Sequence, residues 1–342
     1  MPFSIRNTMV LLLVTAYQNA LARPALMPHE ATYLHSILKR SADGPWFNDF
    51  ADPGLLRCSS GTFYAYATNA DPIGAGPLHV PVAQSGALDS GWEIVTDDAG
   101  VQVDAMPVLP PWIAPGGNQV WAPDVIQLAD GSYSMLFASP GNVSSGDPDP
   151  NRNFFCIGIA SSDSPTGPFT STEQPLYCDD SQSIIDGSHF TDVDGSNYFL
   201  FSGAGNLNIH PLDSSNTIAQ GEATQILAAD PNVDAAGVTE APFLVNANGV
   251  YYLFFSTGTY NQADYTTSYA TSDYLLGPYA QAGPLLQTGD AIDGSDNTLL
   301  GPGGATLIAN GNGGYSIVSF HSLQAAAGDE IANDQCDRHS MV

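Results

Sequence analysis

Three acidic residues stand far apart in the chain but in the same kind of place. Asp52, Asp186 and Glu240 each precede a short apolar run that ends in a polar turn and returns as an aromatic-rich run. Asp52 is followed by Pro53-Gly54, Asp186 by Gly187-Ser188 and Glu240 by Ala241-Pro242, residues that favour turning or extended backbone. A lone carboxylate before a strand is ordinarily a solvated edge residue. Repetition changes that reading, because such units recur at intervals of about sixty residues. Three carboxylates brought to one cavity repel each other, which drives their pKa values apart and leaves one holding a proton while another is ionised. Hydrolysis of a glycosidic bond needs that division: an acid for the leaving oxygen and a carboxylate that activates water or attacks. The competing use of clustered carboxylates is calcium binding, whose loops pack their ligands closely in sequence. Asp192-Val193-Asp194-Gly195 is the nearest approach to such a loop, and it reads as a plain hairpin turn.

The elements that must bring these residues together are strands. Charged residues are only 12% and Gly, Ser, Asn, Thr, Tyr and Phe abound, a composition suited to β structure and poor in helix formers. Five units of alternating strands follow one another. They begin at Phe50-Ala51-Asp52, Trp121-Ala122-Pro123-Asp124, Ile184-Ile185-Asp186, Val238-Thr239-Glu240 and Leu300-Gly301-Pro302. Ser60-Gly61, Asp130-Gly131, Asp194-Gly195 and Asn248-Gly249 mark hairpin turns in the first four. Residues 160–169 and 270–279 carry the same turn, Ser-Asp followed by Gly-Pro and an aromatic residue. The expected fold is therefore all-β, a five-bladed β-propeller, because the period is too short for a stack of β-sandwiches. The first strand of each blade lines the central channel, so residues at those strand starts share one pocket.

The ends of the chain read differently. Arg6, an apolar run from Met9 to Ala16 and Ala20-Leu21-Ala22 form the three parts of a signal peptide over residues 1–22. Residues 23–40 end in Lys39-Arg40 and read as a propeptide. The propeller is assigned to residues 41–323 and an atypical tail without β alternation to 324–342, which leaves the last blade incomplete. Lys and Arg number 7 against 35 Asp and Glu, a net charge of −28. That balance argues against nucleic acid, whose phosphates demand a basic surface, and against docking on anionic membrane. It suits a secreted, extracellular protein kept soluble by charge repulsion. Four cysteines in such a chain allow two disulfides. Cys156 with Cys178 is the favoured pair because the two flank one loop region, and Cys58 could pair with Cys336 only if the ends of the domain meet. Asn142-Val143-Ser144 is a glycosylation sequon.

Phe50-Ala51-Asp52-Pro53, Trp121-Ala122-Pro123-Asp124, Asp186-Gly187-Ser188-His189-Phe190, Glu240-Ala241-Pro242 and Ser319-Phe320-His321-Ser322 resemble the blade motifs of glycoside hydrolase family 43. That is a family of five-bladed propellers acting on arabinose- and xylose-containing plant polysaccharides. The resemblance implies that Asp52 is the general base, Glu240 the general acid and Asp186 the residue that orients the acid and tunes its pKa, with inversion at the anomeric carbon. It sets His321 against a structural calcium ion in the channel, with no cofactor required for the reaction. Trp121 and Phe190 read either as sugar-stacking faces or as core, and Asp124 as structural. The chain departs from the pattern at Gly187, at Gly304 where a His is frequent, and at its tail. The implied activity is an inverting hydrolase of α-L-arabinofuranosyl linkages in a plant polysaccharide or oligosaccharide, working as a monomer. A β-xylosidase and a catalytically inactive carbohydrate-binding propeller are the alternatives. A fructan-acting enzyme of the invertase type ranks below them, since no Arg-Asp-Pro or Glu-Cys motif is present.

Overall fold

The structure, a computed structural model, describes residues 6–11, 47–48, 50–70, 77–88, 90–141, 154–230, 237–290, 298–309 and 315–324. The protein is an all-β propeller. Four sheets are each built from four consecutive strands, paired antiparallel in chain order. The first contains β3 (Gly54–Arg57), β4 (Phe63–Tyr66), β5 (Val82–Ser85) and β6 (Glu93–Ile94). The second contains β7 (Trp121–Gln127), β8 (Tyr133–Pro140), β9 (Phe155–Ser162) and β10 (Thr170–Ser171). The third contains β11 (Ile184–Thr191), β12 (Asn197–Gly203), β13 (Asn206–Leu212) and β14 (Thr224–Leu227). The fourth contains β15 (Thr239–Ala247), β16 (Val250–Thr257), β17 (Thr266–Ser272) and β18 (Ala280–Leu286). A further sheet joins β19 (Gly303–Ala309) and β20 (Tyr315–Gln324) to two strands from the start of the chain, β1 (Arg6–Leu11) and β2 (Phe47–Asn48), in the order β19-β20-β1-β2.

Local sequence explains the hairpins. Ala247 pairs with Val250 across Asn248-Gly249, whose φ angles are 55° and 77°, the two left-handed residues that a tight turn of this hand requires. The repeated turn at residues 160–169 and 270–279 links the third strand to the fourth in two sheets, with cis peptides at Gly167-Pro168 and Gly277-Pro278 in both copies. Asp192-Val193-Asp194-Gly195 is a hairpin turn, with Asp194 accepting the Ser196 N–H and Asp192 the Tyr251 hydroxyl.

The apolar core is divided among the spaces between sheets. Leu56, Tyr66 and Val82 meet Met135 and Phe137 between the first and second. Leu136 and Ile159 meet Ile184 and Phe199 between the second and third. Phe190 and Leu200 meet Leu253 and Phe255 between the third and fourth. Phe254 and Tyr269 meet Leu307 on β19, while Phe50 and Leu55 meet Ile308 on the same strand. The first strands touch in the order β3, β7, β11, β15 and β19, and β19 returns to β3. Thr306 Oγ1 donates to the Pro53 carbonyl at 2.9 Å across that return.

Cys156 and Cys178 form a disulfide, the pair favoured from their flanking positions. Among the described residues Cys58 has no disulfide partner; it is buried and bonded to the Tyr133 hydroxyl. Its suggested partner Cys336 lies outside the described residues, as do Asn142, the propeptide segment and all of the tail beyond Gln324. Within the segment that reads as a leader, Arg6–Leu11 pairs with β20 on one side and β2 on the other.

Candidate active site

Each channel-lining strand begins with one residue of left-handed backbone: Asp52 (φ 49°), Ala122 (45°), Asp186 (58°), Ala241 (51°) and Gly304 (64°). Four of the five carry a Cβ, and that conformation costs such a residue roughly 1–2 kcal/mol. The strand register slips beside each of the last four, between Trp121 and Asp124, Ile185 and Ser188, Glu240 and Phe243, and Gly303 and Thr306. These are β-bulges, which re-aim side chains at a strand end. The alignment they impose corrects one expectation. Asp52 and Asp186 are themselves the left-handed residue, whereas Glu240 sits one residue before it and Ala241 takes that place. The three carboxylates therefore do not occupy one repeat position, although all three face the same space.

That space is a cavity of about 310 Å³, lined by Asp52, Asp186 and Glu240 together with Trp121, Tyr260 and Tyr265. All three acids remain partly accessible through it. Thr68, at the end of the first sheet's second strand, donates to Asp52 Oδ2 at 2.7 Å and accepts the Ala122 N–H at 2.9 Å. Ser202 repeats this arrangement two sheets on. It donates to Asp186 Oδ2 at 3.4 Å and accepts the Ala241 N–H at 3.1 Å. The Ala241 N–H also reaches Asp186 Oδ2 at 3.0 Å, so Asp186 is tied to the backbone of the residue that follows Glu240. Tyr265 donates its hydroxyl to Glu240 Oε1 at 2.8 Å.

Burial pushes the Asp186 carboxyl well above the usual range, and the charges of Glu240 and Asp52 push it the same way. The Ala241 N–H and Ser202 hydroxyl oppose the shift without cancelling it. The cluster thus retains a proton at pH values where an isolated aspartate has lost it, and Asp186 is part of the group that holds it. Tyr265 is fully buried, and burial and the same three carboxylates hold its phenol well above its ordinary value. It acts as a hydrogen-bond donor throughout the neutral range.

The other sequence-derived candidates separate. Trp121 lines the cavity with its ring stacked on Phe155, centroids 4.2 Å apart. Phe190 does not line it: the ring is buried between the third and fourth sheets, 6.3 Å from both Tyr198 and Tyr251. Asp124 is buried and accepts the His189 N–H at 2.8 Å while facing its Nδ1 at 2.8 Å, a structural pair. His321 lies on β20 opposite Gly303 and Met9 in the ladder. Among the described residues no group of three or more His, Cys, Asp and Glu side chains is arranged to hold a metal ion. Thr68, Ser202, Tyr260 and Tyr265 escaped the sequence reading. Thr68 and Ser202 hold the same place at the second strands of the first and third sheets, and aligning those strands would have exposed them.

The description "Glycosyl hydrolases family 43" belongs to the family model that matches residues 45–341. Among curated proteins, a probable arabinan endo-1,5-alpha-L-arabinosidase C of Aspergillus flavus is 26% identical over 286 residues, 78% of this chain and 78% of that protein. An extracellular endo-alpha-(1->5)-L-arabinanase 1 of Bacillus subtilis is 31% identical over 206 residues, covering 57% of this chain and 60% of that one. Among solved structures, a thermostable family-43 glycoside hydrolase superposes with a TM-score of 0.61 at 22% identity, over 80% of this chain and 88% of the other.

Proposed function

Because the chain belongs to glycosyl hydrolases family 43, we propose that it is an inverting hydrolase of α-L-arabinofuranosyl linkages in arabinan, with Glu240 as general acid and Asp52 as general base. The observation that carries the reading is the meeting of Asp52, Asp186 and Glu240 at one cavity, beside the arabinan-cleaving names of the relatives. Glu240 gives its proton to the glycosidic oxygen as the bond to the anomeric carbon breaks. On the opposite face Asp52 takes a proton from the water whose oxygen forms the new bond, so the configuration inverts. Such a pair stands roughly 6.5–9.5 Å apart, leaving room for the water. Thr68 donates to Oδ2 of Asp52 and so holds the carboxylate that takes the water's proton. Asp186, bonded to the Ala241 N–H, fixes the backbone from which Glu240 projects. Trp121 supplies a sugar-facing wall.

The same reading extends to the rest of the molecule. The sheet of β19, β20, β1 and β2 acts as a fifth blade that completes the ring. Residues 1–22 serve as a secretion signal, residues 23–40 as a propeptide, Asn142 as a glycosylation site, and the secreted protein works as a monomer. A calcium ion near His321 would be structural, and metal analysis of the purified protein tests it.

The deciding assay incubates purified protein with linear arabinan, arabinoxylan and aryl α-L-arabinofuranosides or β-xylosides, and follows the anomer first released by NMR. Arabinose released as the inverted anomer is expected. Glu240→Gln and Asp52→Asn should each lower kcat on arabinan by roughly 10²–10⁴-fold while arabinan binding persists. Release of xylose alone would favour the xylosidase reading. Binding without turnover, indifferent to Glu240→Gln, would make the protein a carbohydrate-binding propeller.

A further inference from the structure

The position before each left-handed residue holds Ala51, Trp121, Ile185, Glu240 and Gly303 around the channel. Gly303 is the odd one, and its surroundings show why. A Cβ there would lie 2.0 Å from Cε1 and 2.3 Å from Cδ1 of Tyr265. The tyrosine ring fills the room that the fifth strand's side chain would take. From that slot its hydroxyl reaches Glu240 Oε1 at 2.8 Å. The phenol is itself held by Ser256, whose hydroxyl bonds to it and accepts the Gly304 N–H at 2.8 Å. Ser256 is fully buried and stands opposite Glu240 in the β15–β16 ladder. A chain of contacts therefore runs from the backbone of β19, through Ser256 and Tyr265, to one oxygen of Glu240.

We propose that Tyr265 is a positioning residue for proton delivery: by donating to Oε1 of Glu240 it fixes the rotamer in which the carboxyl meets the glycosidic bond. Gly303 is the partner of this device, since a side chain there would displace the ring. Tyr265 acts through Glu240, to which its hydroxyl is bonded. The inference rests on Glu240 being the general acid.

The test compares Tyr265→Phe, Gly303→Ala and Glu240→Gln with the unaltered chain on two aryl α-L-arabinofuranosides. The phenyl glycoside needs a proton on its leaving oxygen and the dinitrophenyl glycoside does not. Equal melting temperatures confirm that Tyr265→Phe is folded, and Gly303→Ala moves the phenol without deleting it. The expected result is a loss in kcat/KM of roughly tenfold or more on the phenyl glycoside and little change on the dinitrophenyl one. A donated hydrogen bond favours the ionised carboxylate, so its removal should also shift the alkaline limb of the pH profile to higher pH. Asp52, Asp124, Asp186, Tyr260 and Tyr265 are the titratable groups that line the cavity with Glu240, and all but Tyr265 are intact in Tyr265→Phe. An equal loss on both substrates with an unmoved limb, alongside a selective loss in Glu240→Gln, would reduce Tyr265 to structural support and overturn the proposal. A Glu240→Gln variant that shows no selectivity would remove the acid assignment itself, and the proposal with it.

Discussion

Asp186 carries the clearest electrostatic signature of the site, and its raised pKa makes it a liability for folding. Below about pH 4, where the unfolded carboxyl is also protonated, its contribution to stability is fully present. As pH rises, the unfolded chain sheds the proton while the folded chain is still held to it, so that contribution is lost progressively until the raised folded value is passed. Asn cannot ionise. Asp186→Asn should therefore flatten the fall in melting temperature between pH 4 and 8, and raise Tm at neutral pH on the order of a few degrees. The same change should lower kcat, because an amide then replaces the carboxyl that holds the Ala241 N–H beside the acid. Calorimetry across that pH range checks it, and parallel curves for both proteins would refute it. The three carboxylates were legible because each precedes a strand in a repeating unit. Tyr265 was not. It is one of fifteen tyrosines, it lies just ahead of a third strand, and its meaning comes from a glycine nearly forty residues later that only the fold brings against it.

The strand entries set the precision of the site, and they are packed to the limit. Gly54 begins β3 with the Pro123 carbonyl 2.0 Å from where a Cβ would stand. Gly54→Ala should force the first and second channel strands apart and cost about 3 kcal/mol, measured by denaturant titration, with kcat falling as Asp52 shifts. A variant of unchanged stability would show that this contact gives freely. Ser188 and Thr306, two residues past their own bulges, instead donate to the carbonyls of Pro242 and Pro53. Hairpins were readable from Asn248-Gly249 and its counterparts, since those turns demand particular residues. Fourth strands were less so, because a two-residue element such as β10 carries no periodicity. The offset of Glu240 was present in the sequence. Aligning Asp52-Pro53, Ala122-Pro123 and Ala241-Pro242 places the glutamate one residue early.

At the scale of the molecule, cross-links and charge decide durability. The Cys156–Cys178 bridge closes a loop across a sequence separation of 22, and in the chain-entropy view it contributes about 3 kcal/mol. Reduction, or Cys178→Ser, should lower stability by that amount with arabinan turnover retained at low temperature, since neither cysteine lines the catalytic cavity. No loss on reduction would mean that the second sheet is held by packing alone. The outermost strands of the last sheet were not legible, because β1 and β2 come from the opposite end of the chain and one of them reads as a leader. The repeated strand entry has a wider consequence. Five strand entries, each with one left-handed residue and one before it, give the channel mouth ten interchangeable sockets on a fixed rim. Only three hold acids, and the others hold alanine, glycine, isoleucine and tryptophan. The rim is then a plugboard. A designer could move a carboxylate from one socket to the next and change the spacing between acid and base, and with it the stereochemical course of hydrolysis, while every strand stays in place.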